Sequence, residues 1–435
     1  MRIVQAVGWY LPTSTGGTEV YVSELAKRLR ACGHDVLIAA PEATGHRERT
    51  YEEGGCRVYR YPIPSRVTRE EAQGRVVVRG AELFHAWLQR ARPDVVHMHT
   101  FVTGLGLAEL RAAKATGARV IATTHAASLG FTCQRGTMMR WGASLCDGLA
   151  RPMKCAACQL EHRGVARPFA VAAAMVPPSI GAVGRRIPGR VGTMIGMTDL
   201  ITYNQSAQRE MLDLVDRFVV LSDWARHVVI ANGAPPEKVI LNRLGVRFPT
   251  AAPKRRSTEP LTVAYVGRFD AIKGVTDFAR AISMIPRAAS IRFEFHGPVQ
   301  NKAELAVVDR IKAIVGPDAW VRFGGELDAA GVEAVLRRVD VICCPSRVVE
   351  GGPTIALEAH AAGVPVIGSD IPALSELIRD RVNGALYPVG EPKALAATLR
   401  QLAANPDLVN HWRARLPQVR TMDDVTSDYL AMYAA

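Results

Sequence analysis

The chain has 435 residues, 48% apolar and 22% charged, which is more than one core uses and excludes both a disordered chain and a small single module. With 54 Lys and Arg against 41 Asp and Glu the formal charge is +13, which points to anionic partners (nucleotide phosphates, an acidic membrane surface or nucleic acid) without choosing among them. No apolar run approaches the roughly 20 residues of a membrane span, and the apolar start Met1–Gly8 is too short for a signal peptide, so the expectation is a cytoplasmic protein.

In chain order, Arg2–Gly8, Asp35–Ala40, Asp94–His99, Arg119–Thr124 and Phe218–Ser222 are short apolar runs with little polar alternation. They predict parallel strands buried on both faces. A helix from about Thr18 presents Val22, Leu25, Ala26 and Leu29 on one face and stops at Gly33. Gly16 and Gly17 close the loop before it. Glycine permits close backbone approach and a helix start offers free amides to an anion, although the pair reads equally as a flexible turn. His125 follows a strand at the ligand edge of this sheet, where a hydrogen-bonded loop histidine is the alternative. His97 and His99 read as supports of a strand end.

Residues 130–200 interrupt the alternation. Within 131–200 there are nine Lys or Arg against three acids. Cys133, Cys146, Cys155 and Cys158 have the spacing C-x12-C-x8-C-x2-C, which suits a tetrahedral structural zinc site, with an iron–sulfur cluster or unligated thiols as alternatives. The region is short of hydrophobic strands, so a metal would supply folding energy that a core does not. Phe169–Arg190 then combines small apolar residues with Arg185, Arg186 and Arg190 and no acid. Such a surface suits peripheral contact with the inner face of a membrane carrying a lipid-linked acceptor, or else a pair of cleft-lining helices.

Residues 249–260 lack any period and read as a linker between a first domain (1–250) and a second (260–405). The second series of strands is Thr262–Val266, Ile291–Phe295, Val321–Phe323, Val341–Cys344, Pro365–Gly368 and Ala385–Tyr387. A helical segment, 406–435, ends the chain. Two successive series imply two doubly wound, Rossmann-like α/β domains. Arg268 and Lys273 follow the first strand of the second series, where such sheets bind ligands. Arg268 offers a planar fork to phosphate oxygens and Lys273 a mobile charge. Glu350-Gly351-Gly352-Pro353-Thr354-Ile355-Ala356-Leu357-Glu358 follows a buried strand. Pro353 suits a first helical turn, and the amides around Gly352–Ile355 can face a diphosphate. One glutamate can then accept from sugar hydroxyls and the other from ribose hydroxyls.

At this point the chain resembles the large family of retaining glycosyltransferases with the two-domain GT-B fold, whose domains face a central cleft. The resemblance runs through Gly-Gly-Thr-Glu at 16–19, Asp94-Val95-Val96-His97, Gly267-Arg268, Lys273-Gly274, and the segment 350–370 with its Glu-x7-Glu spacing, Leu357-Glu358-Ala359 and Gly363-Val364-Pro365-Val366-Ile367. It implies that Arg268 and Lys273 bind the diphosphate of a nucleotide-sugar co-substrate. It places Glu358 on the ribose, Glu350 beside the transferred sugar, Gly17 near the donor, and His125 against the donor sugar. The family often has Gly-Phe after the first glutamate, where this chain has Gly351-Gly352.

The resemblance also implies retention by front-face attack, with the departing phosphate taking the acceptor's proton and no catalytic metal required; double displacement on Glu350 is the minority alternative. Assembly of a polysaccharide or glycolipid is the family-level expectation. The competing readings are a nucleotide-sugar epimerase or sugar phosphorylase, and a metal- and nucleic-acid-binding module. The last is disfavoured because no aromatic-interleaved basic stripe accompanies the cysteines.

Overall fold

The structure, a computed structural model, describes residues 1–43, 45–247, 260–317 and 320–435; most of the expected linker, 249–260, lies outside them. The chain forms two compact units. The first comprises residues 1–141, 146–243 and 422–435, and the second comprises 142–145 and 244–421.

The first unit is built on an eight-stranded sheet. Its order is Val239–Leu241, Arg217–Val220, Arg119–Thr123, Val95–Met98, Arg2–Ala6, Asp35–Glu42, Cys56–Pro62, Arg49–Glu53. Every neighbouring pair is parallel except the last. The inner strands are buried on both faces, as expected of a parallel sheet covered by helices. From Arg2–Ala6 the chain winds outward in one direction, then restarts on the other side with Val95–Met98. The carboxyl ends of these two strands therefore flank a topological switch point.

Three strands, Arg49–Glu53, Cys56–Pro62 and Val239–Leu241, were not anticipated from sequence. The expected strand Phe218–Ser222 is Arg217–Val220, and Ser222 instead caps the following helix by accepting from the Ala225 amide. Residues 152–214 form five helices. Four of them, Pro152–His162, Arg167–Ala173, Gly189–Ile195 and Met197–Leu214, contribute to or border a small core of Ala156, Ala157, Leu160, Ala170, Ala174, Met197, Leu200 and Ile201. This corrects the expectation that the interruption lacks a core. Helices supply it, and their glycines obscured them in sequence, since Gly181, Gly184 and Gly192 lie within helices and pack closely there.

The second unit carries a six-stranded, wholly parallel sheet. The order is Val321–Phe323, Ile291–His296, Leu261–Val266, Val341–Cys344, Val366–Ser369, Gly384–Tyr387. In chain order this is 3-2-1-4-5-6, the Rossmann arrangement, with its switch point between Leu261–Val266 and Val341–Cys344. Its core is dense in aromatic rings: Phe278, Phe293 and Phe295 are fully buried, and Phe278 contacts the other two.

Candidate functional site

The second unit's switch point is where its polar groups converge. Past Leu261–Val266, Asp270 accepts from the Ile272 amide (3.1 Å) to start a short 3-10 turn, and its other oxygen holds the Arg268 guanidinium at 3.1 Å. The turn ends at Gly274, whose φ is +68°. A Cβ there would stand 1.7 Å from the Pro345 carbonyl oxygen, so only glycine permits the approach. The Arg347 amide then donates to the Ile272 carbonyl at 2.8 Å, joining the two strand-end loops.

This closure brings Lys273 to Glu350. The ammonium donates to both carboxylate oxygens, at 2.8 and 2.9 Å, and the Ser346 hydroxyl donates to one of them at 2.7 Å. Burial pushes the Glu350 carboxyl up, but Lys273, Ser346 and Arg268 together outweigh it and hold the group below the usual carboxylate range. Glu350 is therefore an anion at neutral pH. The two residues, expected separately at phosphate and sugar, are partners in this structure. Beneath them, buried Asp277 is clasped by Arg347, a pair that the sequence did not announce.

Beyond Glu350 the helix Thr354–Ala361 begins, with Pro353 at its cap rather than in its first turn and no side chain capping it. Among the described residues the amides of Gly351, Gly352, Thr354 and Ile355 have no acceptor, so they remain available to an anion. Glu358, on the second turn, is buried. Arg247 donates to its Oε1 from Nε (3.1 Å) and Nη2 (2.8 Å), while Oε2 has no partner among the described residues. Burial raises the Glu358 carboxyl despite Arg247. Arg247 was missed because no local pattern marks it.

In the first unit, Gly16 caps the helix Gly17–Ala31 without a side-chain bond. A Cβ on Gly16 would come 2.8 Å from the Glu19 carboxylate, which folds back toward the helix start and accepts from Ser14 at 2.6 Å. His125, two residues past Arg119–Thr123, packs edge-on to Tyr21 (4.8 Å between centroids), and its Nε2 lies 3.1 Å from His99 Nδ1. Burial pushes its imidazole down to about 3, so it is neutral at physiological pH. His97 and His99 lie in a buried chain of hydrogen bonds. His99 meets Gln5 at 2.5 Å; His97 meets Tyr433 and Thr123, both at 2.7 Å; Thr123 in turn meets Tyr429 at 2.9 Å.

Cys133, Cys146, Cys155 and Cys158 all line one cavity of about 30 Å³ in the first unit, together with Arg135, Arg140 and Lys154. All four are free thiols, and among the described residues no three His, Cys, Asp or Glu side chains stand in a ready-made metal-binding cluster. Cys155 and Cys158 accept from the backbone amides of Arg151 and Trp141, each at 3.4 Å.

Comparison with known proteins identifies the family and the fold. Residues 248–418 match the family model of glycosyl transferases group 1, and residues 16–179 match that of the glycosyl transferase 4-like domain. Glycogen synthase of Mycobacterium tuberculosis is 26% identical over 443 residues, covering 98% of this chain and 91% of that protein. Among solved structures, sucrose-phosphate synthase from Thermosynechococcus elongatus superposes with a TM-score of 0.66 at 16% identity, covering 100% of this chain and 98% of the other. HepE of Anabaena in complex with UDP-glucose gives 0.62 at 12% identity, covering 100% and 99%. Two Rossmann-like sheets, two family models that follow one another along the chain, and ligand edges supplied with anion-binding groups lead to one conclusion: the chain belongs to the group 1 glycosyltransferases, with the GT-B fold and a nucleotide-sugar donor.

Proposed function

We propose that this enzyme is a retaining glycosyltransferase that moves a sugar from a nucleotide-diphosphate donor to a hydroxyl of a saccharide or lipid-linked acceptor, in polysaccharide or glycolipid assembly in the cytoplasm. The observation that carries the reading is the Lys273–Glu350 pair at the second unit's switch point, beside the unpaired amides of Gly351–Ile355. A diphosphate bound there meets Arg268, Lys273 and those amides, all aimed at the charge that grows as the anomeric carbon–oxygen bond breaks. The acceptor oxygen bonds to the anomeric carbon from the face the phosphate leaves, and its proton passes to the departing phosphate oxygen. Glu350, kept anionic by Lys273, stabilises positive charge on the sugar ring. Glu358 Oε2 accepts from the ribose. His125, neutral, uses its Nδ1, which has no hydrogen-bond partner among the described residues, to orient a sugar hydroxyl, and Gly16 and Gly17 leave room for the donor at a helix start.

The test is a screen of nucleotide sugars by thermal shift, followed by turnover of the stabilising donor and NMR assignment of the product's anomeric configuration. Glu350→Gln is expected to bind nucleotide and lose about 100-fold or more in kcat. An inverted product overturns retention. Epimerisation or phosphorolysis of the donor, with no transfer, overturns the activity itself.

For the four cysteines we propose a structural zinc ion, a reading carried by the cavity that all four line together. Elemental analysis is expected to find one zinc per chain, lost in Cys155→Ser/Cys158→Ser with a lowered melting temperature and retained in Cys32→Ser. Iron with visible absorption would replace zinc by a cluster, and no metal would reject the site.

A further inference from the structure

We infer that the helices Arg167–Ala173, Pro178–Gly184 and Gly189–Ile195 form a platform that docks on an anionic lipid bilayer, and that the cavity beside them receives the hydroxylated head of an amphiphilic acceptor. The inference rests on the glycosyltransfer reading above and names its acceptor class.

The three helices are built inside out for water. Their buried residues are the small ones: Ala170, Gly181, Gly184 and Gly192. Large apolar residues on and between them face solvent, with Phe169 70%, Met175 65% and Ile180 57% exposed, and Val171, Val183 and Val191 exposed as well; Met194 packs on the small core. The inward glycines are required by close packing. A Cβ on Gly192 would stand 1.8 Å from the Ile187 carbonyl oxygen, and one on Gly184 would stand 2.6 Å from the Gly196 amide. The helices are therefore already packed on their small faces. A single exposed apolar residue needs no explanation, but six fall within the 23 residues 169–191.

Charge identifies the partner. From Arg163 to Thr198 there are five arginines and no acid. Arg167 approaches Glu161 (3.8 Å) and Arg185 approaches Asp199 (3.7 Å), while Arg163, Arg186 and Arg190 make no ion pair among the described residues. Apolar side chains interleaved with unneutralised arginines match a bilayer with anionic headgroups.

The platform is tied to the cavity through one segment. Arg69 donates to the carbonyls of Gly184, Ile187 and Gly189 at 3.3, 3.0 and 2.9 Å, and Arg75 pairs with Asp199 at 2.8 Å. The segment they belong to continues into Val76 and Val77, which line a cavity of about 260 Å³. The same cavity is lined by Phe101 and Phe131, past the carboxyl ends of Val95–Met98 and Arg119–Thr123, with ring centroids 5.4 Å apart. Asn204 adds a hydrogen-bonding group. Aromatic faces beside amide groups suit a sugar ring, and the position is the ligand edge of the first unit's sheet.

The test uses the whole protein and vesicles of phosphatidylcholine alone or with one-third phosphatidylglycerol. Co-sedimentation is expected only with the anionic vesicles, weakening as salt rises. Arg186→Ala/Arg190→Ala is expected to reduce affinity about thirtyfold. Phe169→Glu/Met175→Glu is expected to abolish sedimentation, with the melting temperature and the nucleotide-induced thermal shift unchanged. Saturation-transfer NMR is expected to show octyl glucoside bound to the wild type, and the transfer signal is expected to vanish in Phe131→Ala. Wild-type protein that ignores anionic vesicles overturns the platform. So does concentration-dependent dimerisation abolished by the Phe169 and Met175 variant in place of vesicle binding. An octyl glucoside signal that survives Phe131→Ala overturns the cavity. A missing nucleotide shift with intact vesicle binding would instead refute the glycosyltransfer reading and leave the platform standing.

Discussion

Replacing Lys273 by alanine tests the central pair most directly. The Lys273 and Glu350 side chains are 30% and 17% exposed, and their closest contact is 2.8 Å. At an effective dielectric constant of about 20 their raw attraction is roughly 6 kcal/mol. Most of that is offset by desolvation, but removing one partner strands the other, which costs about 3–5 kcal/mol when fully buried. Discounting for the residual exposure leaves about 2–3 kcal/mol, or on the order of 4–10 °C in the second unit's melting transition. Because the penalty comes from a stranded anion, Glu350→Gln should relieve it: Lys273→Ala/Glu350→Gln should melt above Lys273→Ala. The pH dependence has a definite sign. With Lys273 present, the lowered carboxyl contributes stability above its ordinary range and loses it as pH falls through the folded value. Without Lys273, burial raises the carboxyl, so the variant's deficit should shrink on acidification. Differential scanning calorimetry between pH 4 and 8 measures both effects. Additive single-variant losses, or a deficit that grows toward low pH, would refute the account.

Three further outcomes follow from the same geometry. Gly274→Ala should destabilise the second unit by about 2–4 kcal/mol in denaturant titration, because φ is +68° and the new Cβ would collide with the Pro345 carbonyl; nucleotide affinity should fall with it. Glu358→Gln should raise the donor KM about tenfold yet cost little stability at pH 7, since burial already disfavours its anion and its raised carboxyl stabilises the fold only toward acid pH. His125→Ala should lower kcat, and the pH profile between 5 and 8 should be the same with and without it, because its imidazole titrates near 3.

The alternation of apolar runs and helical patterns made both sheets legible, and the glycine-rich segments before Gly17–Ala31 and Thr354–Ala361 marked their ligand edges. What escaped was set by distance or by exposure. Arg49–Glu53 is an antiparallel edge strand with mostly exposed side chains, so its sequence carries no apolar signature. Cys56–Pro62 buries Arg60, whose guanidinium donates to the Tyr10 carbonyl (2.8 Å) and Thr13 hydroxyl (2.7 Å); an internal arginine reads as surface until its acceptors are known. Lys273–Glu350, Arg247–Glu358 and Arg347–Asp277 join residues 77, 111 and 70 positions apart, and no local pattern encodes such pairings. His97 and His99 were legible as supports of a strand end, but two of the hydroxyls in their network, those of Tyr429 and Tyr433, come from the far end of the chain.

That last arrangement has a consequence for synthesis. The first unit borrows Tyr429 and Tyr433 from the helix Met422–Ala434 to complete the hydrogen bonds around His97, and Asp423 of that helix binds Arg28 at 2.6 Å. Nearly all of the second unit is one continuous stretch, 244–421. On the ribosome, the part translated first must therefore wait for the final turn of chain, while the part translated later can mature earlier. A premature stop at codon 422 would leave the second sheet whole and injure the first.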